Sequence, residues 1–284
     1  MNSLANKTIL VTGASRGIGA AIAAKCVELG ANVIAHSTAS SEAASTVASK
    51  LGIDFLFEDL SQRGAGERLF TNAIAKAGQL VGKGDQQAGR IDGVVNNAGV
   101  YLASPLMDTK IVDTKIVDSK IVDSKIDGDQ ESSWDVNWAK TMAVNVQAPA
   151  DICRAAISHF RESKSGTVVN IASRAGHRGD GGDHAAYAAS KGAVLAMTKT
   201  WARALAGEGL HFYAIAPGWV ETRMAPEDIA KRAAAVADIP IGRVAQPQEV
   251  AELTAFLLTG ACPSAVGATF DVNGASYVLS LIHI

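Results

Sequence analysis

Apolar strand-like runs alternate with alanine-rich helical runs along most of this chain, and that alternation constrains its fold more than any other feature. Thr8–Thr12 (TILVT), Asn32–Ala35, Phe55–Phe57 and Ile91–Asn96 (IDGVVN) read as strands. Ile18–Leu29, Ser41–Leu51 and Arg68–Ala77 read as the helices among them. Further strands are expected at Thr167–Ala172, Phe212–Ile215 and Thr269–Val272, with helices near Tyr187–Ala206 and Pro247–Leu258. The strand runs are continuously apolar rather than alternating, as expected when helices cover both sheet faces. Repeated strand–helix alternation implies an α/β fold with a doubly wound parallel sheet and right-handed crossovers. No linker marks a second domain, so one domain is expected over residues 6–278.

Hydrophobic residues make up 48% of the 284, enough for a large core. The formal net charge of -2 gives no electrostatic case for nucleic acid or an anionic membrane. Cys26, Cys153 and Cys262 are far apart and read as thiols of a reducing compartment. Met1–Lys7 carries no signal-peptide pattern and no apolar stretch is long enough for a bilayer, so a cytoplasmic location is expected.

Two segments break the alternation. Asp108–Gly128 is a five-residue tandem repeat, DTKIVDTKIVDSKIVDSKIDG. Five residues advance a helix by about 140°, so its Ile-Val pairs make no single apolar face. An odd period also sends successive pairs to opposite faces of a strand. The repeat reads as a solvated insertion, with a binding element as the alternative. Leu279–Ile284 (LSLIHI) reads as a non-native tail.

Thr12-Gly13-Ala14-Ser15-Arg16-Gly17-Ile18-Gly19 joins the first strand to the first helix. Glycines there allow a tight turn and close approach of backbone to a pyrophosphate, at a helix N-terminus with free N–H groups. An acid at the end of the second strand would hold the ribose hydroxyls of NAD. This strand instead ends Ala35-His36-Ser37-Thr38, with Glu42 only later. Ser37 would accept a 2′-phosphate and Arg16 could supply the cation, so NADP(H) is favoured over NAD(H). Arg16 as a solvated turn residue is the alternative.

Tyr187-Ala188-Ala189-Ser190-Lys191 sets a phenol and an ammonium on one helix face. A tyrosine has an unperturbed pKa of about 10, and a nearby lysine is expected to lower it. Such a phenol can protonate the oxygen formed when a hydride adds to a carbonyl. Ser173 ends an apolar strand and could hydrogen-bond the substrate oxygen. Asn96-Asn97-Ala98-Gly99 ends another, Pro217-Gly218-Trp219-Val220-Glu221-Thr222 follows a third, and Asn145 lies in a helix. In an open α/β sheet those strand ends share the edge of the glycine-rich turn, where ligands bind.

These motifs, in this order from about Asn6 to Tyr277, resemble the short-chain dehydrogenase/reductase family. The resemblance implies a Rossmann-type fold with a catalytic tetrad of Asn145, Ser173, Tyr187 and Lys191. It implies that Lys191 also binds the nicotinamide ribose and that Asn145 positions a water. Gly13, Ser15, Arg16, Gly17, Ile18 and Gly19 would hold the pyrophosphate side, Ser37 the adenosine ribose side, and Asp59 and Leu60 the adenine. Asn97, Ala98 and Gly99 would line the cofactor; Pro217, Gly218, Val220 and Thr222 would flank its carboxamide. A homo-oligomer, tetramer or dimer, is implied as well. Among substrates of the family, 3-oxoacyl thioesters look most similar, with sugars, steroids or other secondary alcohols as alternatives. A non-catalytic dinucleotide-binding protein is disfavoured by the complete tetrad.

His177, Asp180, Asp183 and His184 cluster before Tyr187, without a spacing that fits a metal site, so a polar loop is expected and no metal. Arg174 and Arg178 could meet an anionic substrate or remain solvated. The resemblance implies that Met224–Asp238 is the mobile helix covering substrate; the alternative is a helix that is alanine-rich for propensity alone.

Overall fold

Every residue of the strands at Thr8–Val11, Gly93–Asn96 and Gly166–Ile171 is buried, so both faces of the central sheet must be covered. The computed structural model describes residues 3–80, 89–104, 133–222, 232–233 and 236–279. Among them run β1 (Thr8–Val11), β2 (Asn32–Ser37), β3 (Asp54–Phe57), β4 (Gly93–Asn96), β5 (Gly166–Ile171), β6 (Leu210–Pro217) and β7 (Thr269–Val272). All seven pair in parallel, in the order β3-β2-β1-β4-β5-β6-β7. Leu10 stands opposite both Ile34 and Val94, so β1 is the centre from which the chain winds outward twice. The order reverses between β1 and β4, which opens a crevice at their C-terminal ends.

The helices are α1 (Gly17–Glu28), α2 (Glu42–Leu51), α3 (Ala65–Leu80), α4 (Ser133–Met142), α5 (Ala148–Ser163), α6 (Ala175–Arg178), α7 (Ala185–Leu205) and α8 (Pro247–Thr259). One core layer packs Ile22 and Cys26 of α1 and Val250 and Leu257 of α8 against the sheet. The other packs Phe70 of α3, Ile152 and Phe160 of α5 and Ala202 of α7 against the opposite face. Burying each isoleucine, valine, leucine or phenylalanine among these stabilises the fold by about 1.5–3 kcal/mol. None of these helices is long and apolar enough to cross a membrane.

A buried polar chain locks α7 to the sheet. Asn96 Nδ2 donates to Asn170 Oδ1 at 2.8 Å, and Asn170 Nδ2 donates to Thr198 Oγ1 at 2.9 Å. Thr198 in turn donates to the Val194 carbonyl at 2.7 Å. Unmade bonds at such depth are costly, so this chain fixes the register of the helix that carries Tyr187 and Lys191.

The expected elements are present with small boundary changes, and the fold is the Rossmann-type doubly wound sheet expected. Two features differ. Sequence reading set Asn145 inside a regular helix, but Ala143–Gln147 is a π-helical turn between α4 and α5. Pro149 explains much of this, because it has no N–H to offer the Asn145 carbonyl in an α-type bond. Helix α5 was not anticipated, although Ile152, Cys153, Ala156 and Phe160 form its buried stripe at helical spacing. The repeat at 108–128 and most of 279–284 lie outside the described residues, as does much of the expected covering segment 224–238.

Candidate active site

The glycine-rich turn is stitched to the loop after β4. Thr12 Oγ1 accepts from the N–H groups of Asn97 and Ala98, each at 3.0 Å. Asn97 Nδ2 returns bonds to the carbonyls of Thr12 at 2.9 Å and Gly13 at 3.1 Å. Asn97 and Ala98 therefore lie beside Gly13, as their place at adjacent strand ends requires, while Gly99 stands against Asn145 and Lys191. Gly13 has φ +65°, open to glycine at little cost. A Cβ at Gly19 would lie 2.2 Å from the Gly13 carbonyl oxygen and 2.5 Å from Asn97 Nδ2. Thr222 packs 3.2 Å from where a Gly17 Cβ would stand, which brings the PGWVET segment to the same turn. Ser15 is buried, and Arg16 is exposed at the extended N-cap of α1, next to Ile18. Gly19→Ala is expected to destabilise the protein by about 1–3 kcal/mol through overpacking. Urea denaturation checks this, and a midpoint equal to wild type would refute the tight turn.

His36, which sequence reading passed over, braces this turn from β2. Its ring is buried, accepts from the Gly13 N–H at Nδ1 (3.3 Å) and meets the Glu58 carbonyl at Nε2 (2.9 Å). Burial holds its pKa below the ordinary imidazole value, so the neutral ring donates from Nε2. The adjacent Ser37 donates to the Ala39 carbonyl at 3.1 Å. No carboxylate ends β2; Glu42 begins α2 instead. Asp59 is exposed and turns its carboxylate to Ser61 and Gln62, while Leu60 is buried in the core.

Strand β5 and helix α7 bring the proposed acid–base groups together. Lys191 Nζ donates to the Ile171 carbonyl at 2.8 Å and lies 5.7 Å from the Tyr187 ring centroid. Ser173 is close enough for its hydroxyl to counter the rise in the Tyr187 pKa, and it also accepts from the Ala175 N–H at 3.1 Å. Asn145 Oδ1 accepts from the Val100 N–H at 2.8 Å. Its Nδ2 donates to the Val100 carbonyl and to Ser190 Oγ, each at 3.0 Å. Ser190, fully buried, passes the chain on to the Tyr187 carbonyl at 2.7 Å. The Asn145 side chain thus braces the loop after β4 against α7. Ser190 was the unread member of that brace, although it lies within the YAASK motif.

The electrostatics differ from the expectation. Lys191 was expected to lower the tyrosine pKa, but burial pushes Tyr187 up to about 12. The same burial pushes Lys191 down to about 8. A dry pocket disfavours both charged forms, and at this separation the ammonium does not reverse it.

The PGWVET segment closes the site. Pro217 ends β6 and accepts from the Arg174 N–H at 3.0 Å, and Gly218 N–H donates to Val272 at 3.0 Å. The Val220 side chain is buried in the core and its backbone bridges Ala245. Arg174 is a buried side chain that donates to Ser276 Oγ, not a solvated loop charge, while Arg178 is exposed. Among the described residues, no three His, Cys, Asp or Glu side chains gather as metal ligands would.

Comparison with known proteins gives a consistent result. The short chain dehydrogenase family model matches residues 7–233. A 3-oxoacyl-[acyl-carrier-protein] reductase from Vibrio harveyi is 31% identical over 278 residues, covering 98% of this chain and 100% of that one. Its counterpart from Escherichia coli is 30% identical over 276 residues, covering 96% and 98%. A dehydrogenase/reductase structure from Sinorhizobium meliloti superposes with a TM-score of 0.78 at 27% identity, covering 97% of each chain. A provisionally assigned NAD(P)-dependent gluconate 5-dehydrogenase from Beutenbergia cavernae, with NADP bound at low occupancy, gives a TM-score of 0.76 at 28% identity, covering 96% and 98%.

Proposed function

The chain belongs to the short-chain dehydrogenase family, and on that premise we propose that it is an NADP(H)-dependent reductase of 3-oxoacyl thioesters. The observation that carries this reading is the convergence of Ser173, Tyr187 and Lys191 beside the glycine turn, at one sheet edge. The cradle fits a dinucleotide: Gly13 and Gly17 take positive φ, and Gly19 has no room for a side chain. Gly13, Ser15, Arg16, Gly17, Ile18 and Gly19 would hold the pyrophosphate side; Asn97, Ala98, Gly99, Pro217, Gly218, Val220 and Thr222 would flank the nicotinamide side. When bound, the reduced nicotinamide supplies the hydride.

The chain's own residues handle the proton. Ser173 Oγ steadies the substrate oxygen and Tyr187 Oη donates to it, its raised pKa keeping that proton in place at neutral pH. Lys191 Nζ, 5.7 Å from the Tyr187 ring centroid, stands by the phenol as a cation that favours the phenolate form, and it would hold the nicotinamide ribose hydroxyls when the cofactor is bound. Asn145 keeps the cofactor loop and α7 in register. The relatives named as 3-oxoacyl-[acyl-carrier-protein] reductases support the thioester as substrate class. The likeness to a gluconate 5-dehydrogenase favours a polyol or sugar acid as the second reading. A small-molecule or acyl-thioester substrate, a cytoplasmic location and a homo-oligomer belong to the same reading.

Cofactor choice rests on Ser37 standing where NAD enzymes need an acid, with Arg16 exposed at the N-cap of α1 as the cation. With acetoacetyl-CoA as substrate, kcat/KM for NADPH is expected to exceed that for NADH by at least about tenfold. Equal values, or a preference for NADH, would overturn the assignment.

A further inference from the structure

A second aromatic residue, Tyr101, stands beside the proposed proton donor. Tyr101 is the second residue after Gly99, and its neighbour Val100 is held at both backbone atoms by Asn145. Its ring stacks on His184, with centroids 4.0 Å apart and planes 9° from parallel. The same ring meets Tyr187 edge-on, at 4.7 Å and 88°. Nearby, the Ser104 N–H donates to the Asp183 carbonyl at 2.6 Å, so the loop after β4 is tied to the loop before α7. Burial first, and then the Asp180 carboxylate, keep the Tyr101 hydroxyl protonated. A half-buried aromatic fixed by its backbone, its ring face and its hydroxyl cannot move aside as a lone surface tyrosine can.

We propose that Tyr101, clamped by His184, is the specificity-determining wall of the substrate site, admitting an unbranched substituent beside the reacting carbonyl and excluding a branched one. The argument is steric. The carbonyl oxygen must reach the Tyr187 hydroxyl, and the Tyr101 ring lies against the Tyr187 ring. A substituent on that side of the carbonyl carbon therefore shares its space with Tyr101. One methylene in such a confined space alters kcat/KM by about 10- to 200-fold. His184 is a positioning residue here: it touches Tyr101 and sets the plane of the wall. The inference rests on the carbonyl-reductase reading of the site but not on the thioester.

The test compares branched with unbranched substrates in two chemical classes. One pair is the N-acetylcysteamine thioesters of acetoacetate and 4,4-dimethyl-3-oxopentanoate. The other is 2-butanone and 3,3-dimethyl-2-butanone. Tyr101→Ala is expected to raise the branched-to-unbranched ratio of kcat/KM by about tenfold or more. Tyr101→Phe, which keeps the ring, is expected to leave the ratio within about twofold of wild type. Kd for NADPH, read by fluorescence, should stay within about twofold in both variants. If Tyr101→Ala fails to bind NADPH, His184→Ala removes the stack and is expected to raise the ratio about threefold. Turnover with an unchanged ratio in the folded variant overturns the Tyr101 wall and leaves the reductase reading standing. Turnover of the ketone pair alone removes the thioester substrate and still measures the wall. No turnover of either pair by the wild type overturns both.

Discussion

Tyr187→Phe is expected to lower kcat for carbonyl reduction by about three orders of magnitude while NADPH affinity stays within about twofold of wild type. The substitution removes only the hydroxyl. The ring keeps its edge contact with Tyr101, and the Tyr187 carbonyl keeps its bond from Ser190. Fold and cofactor cradle should therefore survive, and the loss should fall on proton transfer. Burial holds the phenol pKa up to about 12, so the acid form needed for reduction dominates throughout the neutral range. The reverse reaction needs the phenolate, whose fraction grows as pH rises. In wild type, alcohol oxidation should thus accelerate by up to about tenfold per pH unit from pH ~7 to ~9, while reduction does not rise. Steady-state kinetics in both directions, with NADPH fluorescence titration, decide the matter. Turnover retained by Tyr187→Phe would remove the tyrosine from the mechanism.

Lys191→Met is expected to separate stability from activity. Burial brings the Lys191 ammonium from 10.5 to about 8, which corresponds to roughly 3 kcal/mol against the charged form at pH 7. The variant also strands the Ile171 carbonyl, at a cost of about 1–2 kcal/mol. The net expectation is a variant about 1–2 kcal/mol more stable than wild type at pH 7 and at least about a hundredfold less active. The sign with pH is fixed by the lowered pKa. Below about 8 both folded and unfolded chains carry the charge, and the penalty is complete. Between about 8 and 10.5 the folded lysine is neutral while the unfolded one is still protonated, so wild-type stability rises and the variant's advantage shrinks. Urea denaturation at pH ~7 and pH ~9.5 measures both points. A variant markedly less stable at neutral pH would show that Lys191 is mainly a structural strut.

The sheet was legible because its signal is local and repeated. The central strands, such as Thr8–Val11 (TILV), are dominated by apolar residues and fully buried, and their burial follows from such runs without knowledge of partners. The edge strands Asp54–Phe57 (DFLF) and Thr269–Val272 (TFDV) are mixed and only partly buried. The glycine turn was legible for a related reason: Gly13 and Gly19 are required by backbone geometry within eight residues of chain. Helix α5 was overlooked although its stripe of Ile152, Cys153, Ala156 and Phe160 has helical spacing. The π-helical turn at Asn145 had a marker in Pro149, but a missing N–H shows only that an α-type bond is broken, not what replaces it.

What the sequence by itself determined is the α/β class, the sheet edge at which the candidate site stands, and the identity of the residues gathered there. Spacing along one chain is enough for these, since helix periodicity sets Tyr187 and Lys191 on one face and strand ends gather on one edge. Only the tertiary structure decided how those residues behave. That burial raises the Tyr187 pKa and lowers that of Lys191 depends on what surrounds them, and desolvation has no signature in residue order. That His36 braces the glycine turn, that Asn145 and Ser190 brace the loop after β4, and that Tyr101 stands between His184 and Tyr187 depend equally on folding. Their partners lie between 23 and 86 residues apart in the chain, or on elements whose pairing the sheet alone imposes. A contact across that distance is chosen by packing and hydrogen-bond satisfaction in three dimensions, which no local pattern encodes.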